Sequence, residues 1–160
     1  MKKSLPYILI IASVVVLYWY RYIRAPQIEF KQEPVVQVAE VGENLGGVTG
    51  PAVVHFYASW CRPCMSEMES LNALVPEYER YGVRFFLVTD DNDEELQMLG
   101  MRYPNLNRVQ QIPSLKDLGV HSIPATYWIN EKQEIVRKNT GKNDWGVNLL
   151  NQDVAELLKK

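Results

Sequence analysis

Cysteine is scarce in this chain, which has only two among its 160 residues, Cys61 and Cys64. A small scaffold stapled by disulfides needs more cysteines, spread along the chain. A structural zinc site needs four ligands, and beyond the two thiols the chain has only His55 and His121. Both thiols therefore belong to one local feature, and we predict no metal and no cofactor.

A basic patch is missing from most of the chain, whose formal net charge is −2. The charged residues before Gln27 are all basic: Lys2, Lys3, Arg21 and Arg24. The remainder carries 13 basic and 19 acidic residues, which excludes nucleic acid as an expected partner. With 47% apolar and 22% charged residues, the chain has the composition of one globular domain with a real core.

An uncharged, mostly apolar run extends from Leu5 to Tyr20, and continuing it to Ile23 adds only Arg21 as a charge. A helix of ~19 residues is ~28 Å long, close to the hydrocarbon thickness of a membrane. The run ends in residues typical of a membrane interface, Tyr18, Trp19, Tyr20 and Tyr22. We predict that residues 1–24 form a signal anchor, with a tether at 25–34 and a globular domain at 35–160.

Two alternatives compete with an uncleaved anchor, a cleaved signal peptide and a buried core helix. A cleaved signal peptide is disfavoured because no small-x-small cleavage site follows the run. A buried core helix is disfavoured because such a helix is not normally apolar on every face. Lys2 and Lys3 favour a cytoplasmic N-terminus, whereas Arg21 and Arg24 favour the reverse.

The globular region alternates between patterns typical of strands and of helices. We predict strands at 35–41, 52–58, 83–89, 125–130 and 134–138. Helices are predicted at 63–81, 93–102 and 144–160, the first of them kinked or broken at Pro76. Residues 105–119 are predicted to be irregular, with one helical turn around Leu115. This order predicts an α/β domain with a mixed sheet.

The two cysteines lie where a predicted buried strand passes into a helix, in the motif Trp60-Cys61-Arg62-Pro63-Cys64. Unpaired N–H groups and the positive end of the helix dipole stabilise a thiolate at that point. The thiolate is the attacking species in disulfide exchange, so we predict Cys61 as the nucleophile and Cys64 as the resolving thiol. Pro63 fits the first helical turn. Half a zinc site, a static disulfide or an inert thiol pair are the alternatives.

The segment from Phe56 to Cys64 resembles the active-site segment of thioredoxins. With its predicted anchor and Glu67, the chain is more similar to the TlpA-like and ResA-like branch of this family. Members of that branch are extracytoplasmic thioredoxins tethered by one N-terminal helix. A second segment, from Gly119 to Tyr127, resembles the loop that carries a cis-proline in this family. The resemblance covers roughly residues 35–160 and implies a thioredoxin-like fold with a central mixed sheet flanked by helices.

The resemblance also implies roles for three residues outside the cysteine motif. Pro124 is implied to be cis and to face the Cys61 sulfur; an ordinary trans proline is the alternative. His55 stands where thioredoxins have a buried aspartate, so it is a candidate relay for the Cys64 proton, or else a hydrogen-bonded core histidine. Glu67 is implied to tune thiol acidity, against the alternative of a solvated helix acid.

Substrate contacts are predicted for the residues around this motif and the cis-proline: Trp60, Arg62, Pro63, Ile123 and His121. The predicted function is an extracytoplasmic disulfide reductase of exported proteins, anchored in the bacterial inner membrane with its catalytic domain on the periplasmic side. It would receive electrons from a transmembrane thiol donor. An oxidase or isomerase, and a copper-binding or copper-delivery module using His121, remain alternatives. Members of the wider group that act in cytochrome c maturation often have an acidic residue after the cis-proline. Here that position is Ala125, which weakens an assignment to cytochrome c maturation without excluding it.

Overall fold

The computed structural model describes residues 11–18 and 50–158. The chain divides into two compact units, Met1–Gln32 and Glu33–Lys160. In the first unit, residues 11–18 are helical with exposed side chains. Within the two described ranges, no helix has both the length and the apolar character needed to cross a membrane. The predicted strand at 35–41, the tether and the rest of the anchor lie outside the described residues.

Residues 50–158 form a mixed sheet with helices on its flanks. In chain order the elements are β1 (Ala52–Phe56), α1 (Arg62–Met65), α2 (Met68–Arg80), β2 (Arg84–Thr89), α3 (Asp93–Arg102), β3 (Val109–Gln111), β4 (Ala125–Ile129), β5 (Ile135–Thr140) and α4 (Val147–Leu157). The strand order is β3-β2-β1-β4-β5. Strands β1, β2 and β3 are parallel, and β4 and β5 run antiparallel to their neighbours. The predicted α/β class with a central mixed sheet is confirmed.

Strand β1 lies at the centre of the sheet, and all five of its residues are buried. Because side chains alternate along a strand, Val53 packs into the core shared with α2 and α4, while Val54 and Phe56 pack into the core on the opposite face. His55 follows the Val53 face, where its ring lies 5.7 Å from that of Trp145. A polar side chain therefore lies inside the larger apolar core.

The helix predicted at 63–81 is interrupted, but not at Pro76. It breaks at Ser66 and Glu67, between α1 and α2, and Pro76 lies within α2. A proline removes the N–H that would pair with the carbonyl four residues earlier. That carbonyl, of Asn72, instead accepts from Nδ2 of Asn105 at 2.8 Å. This replacement partner explains why the prediction of a break at Pro76 was wrong.

The segment predicted to be irregular contains the edge strand β3, which pairs in parallel with β2. Its polar sequence, Val109–Gln111, lacks the apolar character of a buried strand because it lies at the edge of the sheet. The helical turn predicted around Leu115 is a hydrogen-bonded turn, closed by Val120 N donating to the Leu115 carbonyl. At the C-terminal end, α4 begins at Val147 and not at 144.

Helix α3 has the predicted bounds because its N-terminus is strongly specified. Asn92 accepts from the backbone N–H of Glu95, and the Glu95 carboxylate accepts from the backbone N–H of Asn92, forming a capping box. Asp93 and Glu94 add negative charge in the first turn, where the helix dipole favours it.

Candidate active site

Cys61 and Cys64 form a disulfide just beyond the carboxyl end of β1, with their Cα atoms 5.3 Å apart. Cys61 is the N-cap of α1, and its sulfur accepts from the backbone N–H of Cys64 at 3.3 Å. Cys61 retains 4% exposure, whereas Cys64 has none. Because α1 has only four residues, its helix dipole is small. A thiolate on Cys61 is therefore stabilised mainly by nearby backbone N–H groups.

The turn that leads into Cys61 is held by two acids that the sequence analysis did not assign to the site. Ser59 donates its backbone N–H to both carboxylate oxygens of Asp91, at 3.0 and 2.9 Å. Its hydroxyl lies 3.1 Å from Asp91 and 2.8 Å from Glu95. Asp91 follows β2, the parallel neighbour of β1. The carboxyl ends of parallel strands meet at one edge of a sheet. The position of Asp91 just after β2 could therefore have predicted that it lies near the cysteine motif.

Glu67 is buried, with 1% of its surface exposed, so it is not a solvated helix acid. Its Oε1 accepts from the backbone N–H of Asn143 at 2.7 Å and from Nε1 of Trp145 at 2.6 Å. Burial raises the pKa of Glu67, while these two hydrogen bonds and the charge of Lys142 lower it, and burial is the larger effect. The carboxyl group thus binds a proton more readily than in water.

His55 is fully buried, and its two ring nitrogens differ. Nδ1 lies 2.9 Å from Oγ1 of Thr126, its direct partner across the β1–β4 pair. Nε2 has no hydrogen-bond partner among the described residues, and it lies 3.9 Å from Oε2 of Glu67, which also has none there. Burial lowers the pKa of His55 to about 3. The ring is therefore neutral near pH 7, and the contact is not an ion pair.

The peptide bond between Ile123 and Pro124 is cis, as the resemblance implied. Pro124 is buried, and its carbonyl accepts from Gly141 N at 2.7 Å. Ile123 packs against the core cluster that contains both cysteines. That Pro124 faces the Cys61 sulfur remains a prediction.

The predicted contact residues lie on the surface around the cysteine motif. Trp60 is 75% exposed, and Arg62 and Pro63 are exposed. Trp60, Ile123 and the exposed His121 line a cavity of about 80 Å³. Within residues 11–18 and 50–158, no three His, Cys, Asp or Glu side chains are grouped closely enough to hold a metal ion.

The model of the AhpC/TSA family matches residues 23–138 of this chain. Among curated proteins, the thiol-disulfide oxidoreductase ResA of Bacillus thuringiensis is 27% identical over 95 residues, which are 56% of this chain and 54% of ResA. The chain thus spans about half the length of the curated relatives it matches.

Solved structures similar to this chain include a thiol:disulfide interchange protein of the thioredoxin family from Chlorobium tepidum. Its TM-score is 0.60 at 17% identity, covering 74% of this chain and 85% of the other. The exposed lipoprotein thioredoxin Etrx1 of Streptococcus pneumoniae has a TM-score of 0.55 at 24% identity, covering 68% and 85%. The fold is therefore thioredoxin-like, as the resemblance implied.

Proposed function

We propose, because this chain belongs to the AhpC/TSA family, that it is a thiol-disulfide oxidoreductase working through Cys61 and Cys64. One observation carries the proposal: a disulfide joins a fully buried cysteine to a helix-capping cysteine that retains some exposure. A capping sulfur that receives a backbone N–H is stabilised as a thiolate, which is the nucleophile in exchange. Its buried partner reacts only within the protein.

In the reducing direction the reaction has two exchange steps. The Cys61 thiolate attacks one sulfur of a substrate disulfide, forming a mixed disulfide and releasing the other substrate sulfur as a thiolate. The Cys64 thiolate then attacks the Cys61 sulfur, forming the Cys61–Cys64 disulfide and releasing the second substrate thiolate. The substrate gains two electrons and the protein loses two, which a thiol donor restores by the same chemistry.

Cys64 must lose a proton before the second step, and it has no exposure to solvent. We assign the receiving site to Glu67, three residues further along the chain, whose backbone N–H donates to the Cys64 carbonyl at 3.0 Å. Its Oε2 lies 3.9 Å from Nε2 of His55. The raised pKa of Glu67 brings its proton affinity closer to that of a thiol, as efficient proton transfer requires. The neutral ring of His55 adds no competing positive charge.

The substrate would dock across Trp60 and the loop ending at Pro124. The exposed indole of Trp60 offers apolar area, and the cavity it shares with Ile123 and His121 offers space for one side chain beside the reacting cysteine. A cis-proline leaves neighbouring backbone groups free to pair with an extended peptide. Arg62 and Pro63, both exposed, would contact the substrate on the other side of Cys61.

We propose that the protein acts as a reductase. The negative charge of the ionised Glu67 carboxylate disfavours a thiolate nearby, and this favours the disulfide form over the dithiol form. Redox equilibrium of the full chain in detergent against glutathione should give a potential at or below about −220 mV. A value near −120 mV, in the range of strong oxidants, would instead assign an oxidase. Cys64→Ser cannot form the internal disulfide, so it serves as a control that shows how much of the signal comes from glutathione bound to Cys61.

The anchor at 1–24, the tether at 25–34 and the domain at 35–160 remain part of the proposal. The domain would then face the periplasmic side of the bacterial inner membrane, where reduction of exported proteins requires a transmembrane thiol donor. A reporter enzyme that is active only after export, fused behind Lys160, should be active. Activity of a cytoplasm-dependent reporter at the same position would contradict this orientation.

A further inference from the structure

Four polar side chains connect the loop after β5 to Glu67: Asn139, Asn143, Thr126 and His55. The direction of their hydrogen bonds follows from one fixed end, because the carbonyl of Gly141 can only accept. Nδ2 of Asn139 lies 3.1 Å from that carbonyl and 2.9 Å from Oδ1 of Asn143. Asn143 therefore turns its oxygen towards Asn139 and its amide nitrogen towards Thr126, whose Oγ1 accepts at 2.9 Å.

The hydroxyl of Thr126 then has one proton to donate. Thr126 is fully buried, and a buried hydroxyl proton without an acceptor costs free energy. Besides Asn143, its hydrogen-bond partner in the described part of the chain is Nδ1 of His55, at 2.9 Å. If Nδ1 carried the proton instead, the hydroxyl would accept twice and its own proton would be unpaired.

We propose that Thr126 and Asn143 are positioning residues that hold His55 in the tautomer protonated on Nε2, with that N–H directed at Oε2 of Glu67. The inference rests on the proposed function, since its purpose is to keep Glu67 ready to receive the Cys64 proton. At 3.9 Å the contact is longer than a hydrogen bond, but an N–H directed at a carboxylate favours the ionised form. The opposite tautomer would place two lone pairs against each other.

Among residues 50–158, few charged or titratable groups face Glu67 from the elements around it. From β1 there is His55, whose lowered pKa keeps the ring neutral. From the loop between β5 and α4 there is Lys142, which favours the carboxylate. Cys64 precedes Glu67 by one turn and titrates only when the disulfide is reduced. Loss of the His55 N–H should therefore raise the pH at which Glu67 ionises.

The tautomer is measured directly by ¹⁵N NMR of the full chain in detergent, with the label in histidine. The sequence has two histidines, and His121→Gln identifies the His55 signals. We expect wild type and Thr126→Ser to carry the proton on Nε2. Thr126→Val keeps the shape of the side chain but not its hydroxyl, and should shift the population towards Nδ1. Thr140→Val makes the same chemical change at an exposed residue of β5 and should change nothing.

The functional readout is the pH profile of the step in which Cys64 resolves a preformed mixed disulfide on Cys61. Thr126→Val should slow this step about threefold to tenfold near neutral pH, and the rate should recover at higher pH. Thr126→Ser should restore the wild-type profile. A purely structural role for Thr126 would lower the rate at every pH without moving the profile.

Two results would overturn the inference: a wild-type His55 protonated on Nδ1, or a Thr126→Val variant with the wild-type tautomer and pH profile. The first needs no variant, so it decides the matter even if Thr126→Val does not fold. Failure of the proposed function is distinguishable, because a wild type inactive in disulfide exchange would still report its tautomer by NMR.

Discussion

Replacing Cys61 by serine should reduce disulfide exchange at least roughly a thousandfold, to the background rate of the thiol donor alone. A hydroxyl does not ionise near neutral pH, so the first exchange step has no nucleophile. Cys64→Ser should leave that first step intact and block the second, so that the substrate accumulates as a mixed disulfide on Cys61. Both results are measured with a model disulfide protein, by turnover and by mass under non-reducing conditions.

Ser66→Ala is a matched control, because Ser66 is exposed and lies just beyond the cysteine pair. Its hydroxyl donates to the Pro63 carbonyl at 2.7 Å, so its loss tests whether any small change at the end of α1 is damaging. Turnover within about twofold of wild type is expected, as for a surface position. A mixed disulfide on Cys64, or faster alkylation of Cys64 at pH 6–7 in the reduced protein, would reverse the assigned roles.

The parts of the fold that the sequence predicted are those with local causes. Strand β1 is apolar at every position except His55, which is the pattern expected of a buried central strand. Helix α3 begins at a capping box formed by Asn92 and Glu95. The cysteine motif combines its own spacing with the strand before it and the helix after it, so its position was also predictable.

The remainder depends on contacts between distant parts of the chain. Glu67 binds the backbone of Asn143 and the indole of Trp145, 76 and 78 residues away, and nothing local distinguishes a buried glutamate from an exposed one on a helix. Pro76 is tolerated because Asn105 replaces its missing donor. Thr126 contacts His55 because strand pairing places the two residues opposite each other. Periodicity predicts which face is apolar, but not which polar groups meet inside it.

Acid should destabilise the oxidised protein mainly through His55. Burial lowers the pKa of this residue from 6.5 to about 3. Between those pH values the unfolded chain binds a proton that the folded chain does not, so the free energy of unfolding falls as the pH falls. At about 1.4 kcal/mol per pKa unit, the loss over the whole range is roughly 5 kcal/mol, and about 3 kcal/mol of it falls between pH 7 and pH 4. Urea unfolding at pH 7 and pH 4 measures this loss.

His55→Asn should remove most of the difference between the two pH values, whatever its stability at pH 7, because each variant is compared with itself. His121→Asn removes an exposed histidine and should keep the acid loss. Glu67 acts in the opposite direction, since its raised pKa makes the folded chain bind a proton more tightly, and stability falls as the pH rises above the unfolded value of 4.5. The acid loss should therefore be larger in Glu67→Gln than in wild type. Equal acid loss in wild type and His55→Asn would show that burial of the neutral imidazole is not what makes the fold sensitive to acid.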